Sequence, residues 1–207
     1  MTEFHEVTDL PKTYDVVAIF AYITQRYLTN NCLTVTTCYK IKHRIVNGLN
    51  ATLGQFLFMV SLSIVDSETV NHFCGGSIIT RYWSLTAAHC IDAITEILIK
   101  FDYIKLLGNS HMTKNSIHHD IDCYKIHSQF TRATGVNDVT LIKVKQRFDG
   151  AYEKIITRPP TNFKYVTDSI VTAVGWGDLS FRGESTEVLR YVELRLLDDD
   201  SCRRMFD

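Results

Sequence analysis

Residues 85–90 read Leu-Thr-Ala-Ala-His-Cys, so that a histidine lies between a small residue and a cysteine. Histidine changes charge near neutral pH, and its ring can act as a general base, bind a metal ion or pack in a core. Nothing within this segment chooses among these roles for His89. The choice depends on which other segments accompany it in the chain.

The composition is that of an ordinary globular protein. The chain has 207 residues, of which 45% are apolar and 22% charged, which is enough apolar material for one or two cores. Its 22 Lys and Arg residues balance 23 Asp and Glu residues, and the net charge is -1. Since the basic excess typical of nucleic-acid-binding proteins is missing, we predict no nucleic-acid partner.

The N-terminal part carries the longest apolar run, Val16–Ile23. A membrane helix needs about 20 such residues, so we predict no membrane span. The run also resembles the core of a secretory signal, but acidic residues outnumber basic ones before it, the reverse of a signal's basic start. A signal peptide is therefore not clearly recognisable, and a short strand or a buried helical turn is the alternative.

The cysteines carry information through their spacing. No Cys-x-x-Cys pair is present, so zinc-ribbon and thioredoxin-type sites are not indicated. Disulfides are the favoured interpretation, and buried reduced thiols of a cytosolic protein are the alternative. The residues concerned are Cys32, Cys38, Cys74, Cys90, Cys123 and Cys202.

Short segments rich in β-branched and aromatic residues follow Arg44, and Gly, Asn or Asp separates them. This pattern predicts strands, whereas helical periodicity is confined to a turn at Thr86–Ile91. We therefore expect an all-β barrel or sandwich. Residues 1–43 lack the pattern, which places a boundary at Lys42–Ile45. The predicted strands are residues 55–64, 73–79, 97–107, 139–144, 169–174 and 189–196.

Four further segments accompany residues 85–90 in a fixed order. They are Arg-Ile-Val-Asn-Gly at 44–48, His-Phe-Cys-Gly-Gly-Ser-Ile-Ile at 72–79, Asn-Asp-Val-Thr-Leu-Ile-Lys-Val at 137–144 and Val-Gly-Trp-Gly at 174–177. Each is weak evidence alone, but together they resemble the trypsin-like serine proteases, from Arg44 to the last residue. The resemblance implies a chymotrypsin-like double β-barrel, of which this chain holds the first barrel complete and the second only in part.

The resemblance assigns roles to two residues. His89 corresponds to the general base and Asp138 to the carboxylate that orients it. Taken singly, His89 also fits a packed histidine beside a disulfide, and Asp138 fits a turn residue that follows Gly135. The combination of segments favours the catalytic roles. A protease of this kind needs no cofactor and no metal, so we predict neither.

The resemblance also implies that Cys74 and Cys90 form a disulfide. In the chain-entropy view, a bridge that closes a loop of roughly 15 residues stabilises a protein by about 3 kcal/mol. Disulfides persist in oxidising compartments, so we expect a secreted, extracellular protein.

Two features near the boundary relate to processing. Arg44–Ile45 resembles the family's activation cleavage site, which makes residues 1–44 a prosegment or N-terminal extension, although an exposed basic linker is the alternative. Asn50 begins an Asn-Ala-Thr sequon and is a predicted glycosylation site.

The family's nucleophile motif, Gly-Asp-Ser-Gly-Gly, does not occur in these 207 residues. Ser180 and Ser185 lie too close to Trp176 to replace it. We therefore expect residues 45–207 to be a protease domain that stops before its nucleophile, inactive as written.

Two functions remain open for such a chain. The first is a serine endopeptidase, with protein or peptide substrates, protease inhibitors and an activating protease as its partners. The second is an inactive homologue that acts as a binding or regulatory module.

Residues 118–123 read His-His-Asp-Ile-Asp-Cys and contain three kinds of metal ligand. On a strand, neighbouring side chains point to opposite faces, which would divide the set. We predict a solvated loop here and no metal site.

Overall fold

The computed structural model describes residues 48–65, 69–97, 104–108, 116–160, 162–164, 166–177, 186–198, 200–201 and 204. Several predictions fall outside these ranges: the prosegment, the cleavage site Arg44–Ile45, the run Val16–Ile23 and the serines at 180 and 185. Cys32, Cys38 and Cys202 also lie outside the described residues.

Strands dominate the described ranges, and a helix, α1, follows the fourth strand. In chain order the elements are β1 Leu49–Asn50, β2 Met59–Val65, β3 Val70–Ile78, β4 Trp83–Thr86, α1 Ala88–Ile97, β5 Ile104–Gly108, β6 Ile117–Ile126, β7 Thr140–Val144, β8 Ile170–Gly175 and β9 Arg190–Arg195.

Six strands close into an antiparallel barrel in the order β2-β3-β4-β7-β6-β5. Alternation places every second side chain inside, as in β7, where Thr140, Ile142 and Val144 are buried. Val60, Leu62, Ile78 and Leu106 join Ile142 in the core. Full burial of each such side chain contributes roughly 1.5–3 kcal/mol. The predicted all-β class and the complete first barrel are confirmed.

The remaining strands form a second sheet in the order β1-β9-β8. Trp176 and Leu189 are buried on it beside Phe56 and Met59. The described residues thus contain one closed barrel and a three-stranded sheet, which is consistent with the predicted chymotrypsin-like fold. Within the described ranges β1 and β8 have one paired neighbour each.

The prediction of a solvated loop at residues 118–123 is wrong, because this segment lies within β6. Apart from His119, the polar residues that suggested a loop are not buried in the strand. His119 and Ile121 point inward and are buried, whereas His118, Asp122 and Cys123 are exposed. An outward face this polar hides the apolar alternation that identifies a strand.

The chain after the histidine also differs from the prediction. Instead of a turn ending at Ile91 and a strand from Ile97, helix α1 extends to Ile97 and β5 begins at Ile104. The four-residue β4 and the two-residue β1 were not predicted, because segments this short carry little periodicity. In the described part of the chain, no helix is both long enough and apolar enough to cross a membrane.

Candidate active site

The pairing of β4 with β7 brings the predicted base and its carboxylate together. The two strands are antiparallel and Thr86, the last residue of β4, faces Thr140, the first residue of β7. Residues that follow β4 must therefore lie beside residues that precede β7. His89 is in the first turn of α1 and Asp138 is two positions before Thr140. The barrel thus places them at one end of the same strand pair.

The Asp138 carboxylate contacts His89 at two points. Its Oδ2 lies 2.6 Å from the His89 Nδ1, and its Oδ1 accepts a hydrogen bond of 2.8 Å from the His89 backbone N–H. Since an ionised carboxylate only accepts, the proton must reside on Nδ1, and in the neutral ring Nε2 then carries the lone pair. The Asp138 side chain is 16% exposed and that of His89 is 42% exposed. The Asp138 carboxylate is therefore sheltered and the His89 ring is open to solvent.

Electrostatics keep Asp138 ionised. Desolvation is the largest influence and raises the pKa of the Asp138 carboxyl. It is opposed by the side-chain hydrogen bond and charge of His89 and by the backbone N–H groups of His89 and Ala88. Together these hold the Asp138 pKa below its ordinary value. The carboxylate is thus suited to stabilise a positive charge on the neighbouring imidazole.

The structure joins Cys74 and Cys90 in a disulfide with a Cα–Cα distance of 6.2 Å. Cys74 belongs to β3 and Cys90 follows His89 in α1, so the bridge fixes the start of the helix to the barrel wall. The Cys90 Sγ lies 3.6 Å from the His89 Nε2. Ligand atoms of these three residues lie within 4.8 Å of one another, but the sulfurs are bonded to each other and have no thiolate to offer a metal.

Other predicted residues lie apart from this pair. Asn50 is exposed on β1, and Cys123 is an exposed free thiol on β6. The charged residues of 118–123 bind different partners. The His119 Nε2 lies 2.6 Å from the Glu153 Oε1 in a fully buried pair, whereas Asp120 pairs with Lys105 outside the barrel. They do not converge on a common point.

A contact between a serine and a histidine was missed by sequence reasoning. The Ser61 Oγ lies 2.7 Å from the His72 Nδ1 and 2.7 Å from the Ser63 Oγ. Ser61 is fully buried in β2, so a peptide substrate cannot reach it. The His72 ring packs against Trp176 with a centroid distance of 5.5 Å, so a ring contact connects this cluster to the core of the second sheet.

Two features around the His89–Asp138 pair were also missed. Asn137 has a positive φ of 57°, and the Arg132 Nε lies 2.5 Å from the Asp92 Oδ2. The first was hidden because a backbone angle is not visible in the letters Asn-Asp-Val. The second joins residues far apart in sequence, and the charges alone do not indicate that they meet.

Comparisons with known proteins identify the family of this chain. The sequence profile of the Trypsin family matches residues 45–207. Trypsin of Sarcophaga bullata is 32% identical over 193 residues, which cover 90% of this chain and 68% of that protein. The venom peptide isomerase heavy chain of Agelenopsis aperta is 31% identical over 170 residues, which cover 78% of this chain and 67% of that protein.

A venom serine protease of Polistes dominula is 30% identical over 169 residues, 77% of this chain and 58% of that protein. The chain thus spans about three fifths to two thirds of the length of these relatives. The match covers both the barrel and the second sheet. The chain therefore belongs to the trypsin family of serine proteases.

Proposed function

We propose that this chain carries the general base and the orienting carboxylate of a secreted serine endopeptidase that cleaves protein or peptide substrates by acyl transfer. His89 is the general base and Asp138 is its orienting carboxylate. The observation that supports this most is the two-point contact of Asp138 with the ring and the backbone of His89. A solvent-open imidazole backed by a sheltered, ionised carboxylate is what proton transfer to and from a substrate requires.

In the proposed reaction, the His89 Nε2 removes the proton of a serine hydroxyl as its oxygen attacks the scissile carbonyl carbon. The imidazolium then returns this proton to the leaving amine as the C–N bond breaks. A water molecule repeats the cycle on the acyl-enzyme and frees the carboxylic acid. Asp138 keeps the proton of His89 on Nδ1 and stabilises the imidazolium in both halves.

We propose that residues outside this 207-residue sequence supply the serine. Gly-Asp-Ser-Gly-Gly is absent from the sequence. Ser61 lies beside His72, but its burial removes it from consideration. On this proposal residues 45–207 are a protease domain without its nucleophile, and the chain alone does not hydrolyse peptides.

To test this proposal, the chain is expressed together with its downstream coding sequence, and the product is treated with a fluorophosphonate probe. We expect a labelled serine downstream of Asp207, with labelling abolished in His89→Gln. The 207-residue chain is the matched control and should remain unlabelled. A folded extended protein that resists the probe would instead support the inactive homologue, a binding or regulatory module.

Residues 1–44 are proposed to be a prosegment, released when an activating protease cleaves between Arg44 and Ile45. The new α-amino group would then order the substrate pocket, and protease inhibitors would act on the cleaved form. Arg44→Gln should block activation of the extended protein, whereas Lys42→Gln, two positions earlier, should not. Equal loss in both variants would contradict cleavage at Arg44.

Secretion and glycosylation complete the proposal. The Cys74–Cys90 disulfide favours an oxidising compartment. Asn50 is exposed on a strand of the second sheet, where an oligosaccharide meets solvent. Secreted protein should lose mass on treatment with a peptide-N-glycosidase, and Asn50→Gln should remove that change. A secreted chain unaffected by the glycosidase would contradict modification at Asn50.

A further inference from the structure

The residue before Asp138 has an unusual backbone. Among the described non-glycine residues, only Asn137 and Asp168 have positive φ, at 57° and 68°. The left-handed conformation crowds a Cβ against the neighbouring carbonyl, and asparagine and aspartate tolerate it better than other side chains do. In Asn137 this conformation occurs one residue from the orienting carboxylate.

The left-handed residue begins a tight turn centred on Asp138. The Val139 N–H donates to the Asn137 carbonyl over 2.8 Å, which closes a three-residue turn. If β7 instead continued backward in extended form, Asp138 would share the face of Thr140 and Ile142, which points into the barrel core. The turn takes Asp138 out of that alternation, which leaves its carboxylate able to meet His89.

The turn is held by contacts on its N-terminal side. The Asn137 side-chain amide donates to the Gln129 carbonyl over 3.0 Å. Thr131 and Val136 form an isolated bridge in the same loop, and the Thr131 N–H donates to the Val136 carbonyl. The backbone carbonyl and the side-chain amide of Asn137 therefore both form hydrogen bonds.

The same loop is also fastened to the helix that carries His89. The Arg132 Nε lies 2.5 Å from the Asp92 Oδ2, and Asp92 follows His89 by one turn of α1. The loop before Asp138 and helix α1 are thus joined by this ion pair as well as by the His89–Asp138 contact. This leaves the local conformation at Asn137 to decide where the Asp138 carboxylate points.

We propose that Asn137 is a positioning residue for the His89–Asp138 pair. Its left-handed backbone, fixed by the amide contact with Gln129, directs the Asp138 carboxylate toward the His89 Nδ1. The catalytic meaning of this role rests on the proposed function, but the positioning itself does not.

The test uses three substitutions at Asn137 in the 207-residue chain. Asn137→Gly accepts a positive φ without strain but loses the amide contact. Asn137→Asp tolerates the conformation and also loses the donor. Asn137→Ala loses both. Asp168→Ala is the matched control, because it places alanine at the other left-handed position, where the aspartate side chain is 70% exposed and lies near Arg195.

The readout is the nitrogen NMR spectrum of His89, which gives the ratio of neutral rings protonated at Nδ1 to those protonated at Nε2. We expect Asn137→Ala to lower this ratio about tenfold, as the cost of a left-handed alanine implies. Asn137→Gly and Asn137→Asp should lower it less, and Asp168→Ala should leave it unchanged. In an extended, active protein Asn137→Ala should reduce kcat with little change in KM.

An unchanged ratio in Asn137→Ala would overturn the proposal, and Asn137 would then be purely structural. If Asn137→Ala does not fold, the glycine and aspartate variants decide, since unchanged ratios in both would contradict a role for the amide contact. The measurement needs no nucleophile. A failed fluorophosphonate experiment therefore refutes the proposed function and leaves this inference standing.

Discussion

The closed barrel and the three-stranded sheet differ in whether each strand is paired on both sides. Every barrel strand has two neighbours, and its core residues, such as Leu62 at 0% exposure, are sealed from water. The sheet exposes large apolar side chains, including Ile170 at 54% and Leu194 at 42%. His89 and Asp138 both come from segments attached to the barrel. The position of the His89–Asp138 pair therefore depends on the closed barrel.

The largest expected effect comes from a cavity in the barrel. Leu62→Ala should lower the free energy of unfolding by about 2–5 kcal/mol, because a fully buried leucine leaves a space that neighbours cannot fill. Leu194→Ala in the sheet should change it by no more than about 0.5 kcal/mol. Urea denaturation of the two variants measures the contrast. Equal losses would show that the sheet is as well packed as the barrel.

The next effect comes from the covalent link beside the base. Replacing both Cys74 and Cys90 by alanine should cost about 3 kcal/mol, since the unfolded chain regains the freedom that the bridge removes. Thermal unfolding with and without reductant checks this. The wild type should lose stability on reduction and the double variant should not. A wild type indifferent to reductant would contradict a structural role for the bridge.

A smaller effect concerns the charge at Asp138. Asp138→Asn should cost about 1–3 kcal/mol near neutral pH, because it replaces an ionised acceptor of two hydrogen bonds. The folded pKa of Asp138 is lowered, so its stabilisation is full above the ordinary aspartate pKa and is lost as pH falls through the folded value. The difference between wild type and variant should therefore shrink progressively as pH falls below about 4. A difference that persists in stronger acid would contradict this linkage.

The smallest effect is expected at the surface tie between the loop and the helix. Arg132→Gln should cost about 0.2–1 kcal/mol, as is usual for a partly exposed ion pair. Arg147→Gln is the control. Arg147 pairs with Asp149, two residues away in an exposed segment, so this ion pair does not connect two separate elements. Denaturation in low and high salt measures both. A salt-independent loss for Arg132→Gln would indicate that packing, not charge, joins the loop to α1.

The sequence predicted the class of fold, and it singled out His89 and Asp138, which the structure places in contact, because the signals lie in short segments with distinctive letters. It misassigned β6, whose outward face carries His118 and Asp122 and so reads as polar. It also gave no sign of the left-handed Asn137 or of the Ser61–His72 contact. Those features depend on a backbone angle and on the register with which β2 pairs with β3. Local patterns report on neither.

The most direct test of the barrel's role is the protonation site of the His89 ring in the 207-residue chain. Nitrogen NMR of the neutral ring should show the proton on Nδ1, and Asp138→Asn should weaken that preference. Such a result would show that the barrel alone assembles the base with its orienting carboxylate. A wild-type ring protonated at Nε2, unaffected by Asp138→Asn, would show that the two side chains do not meet and would contradict the account.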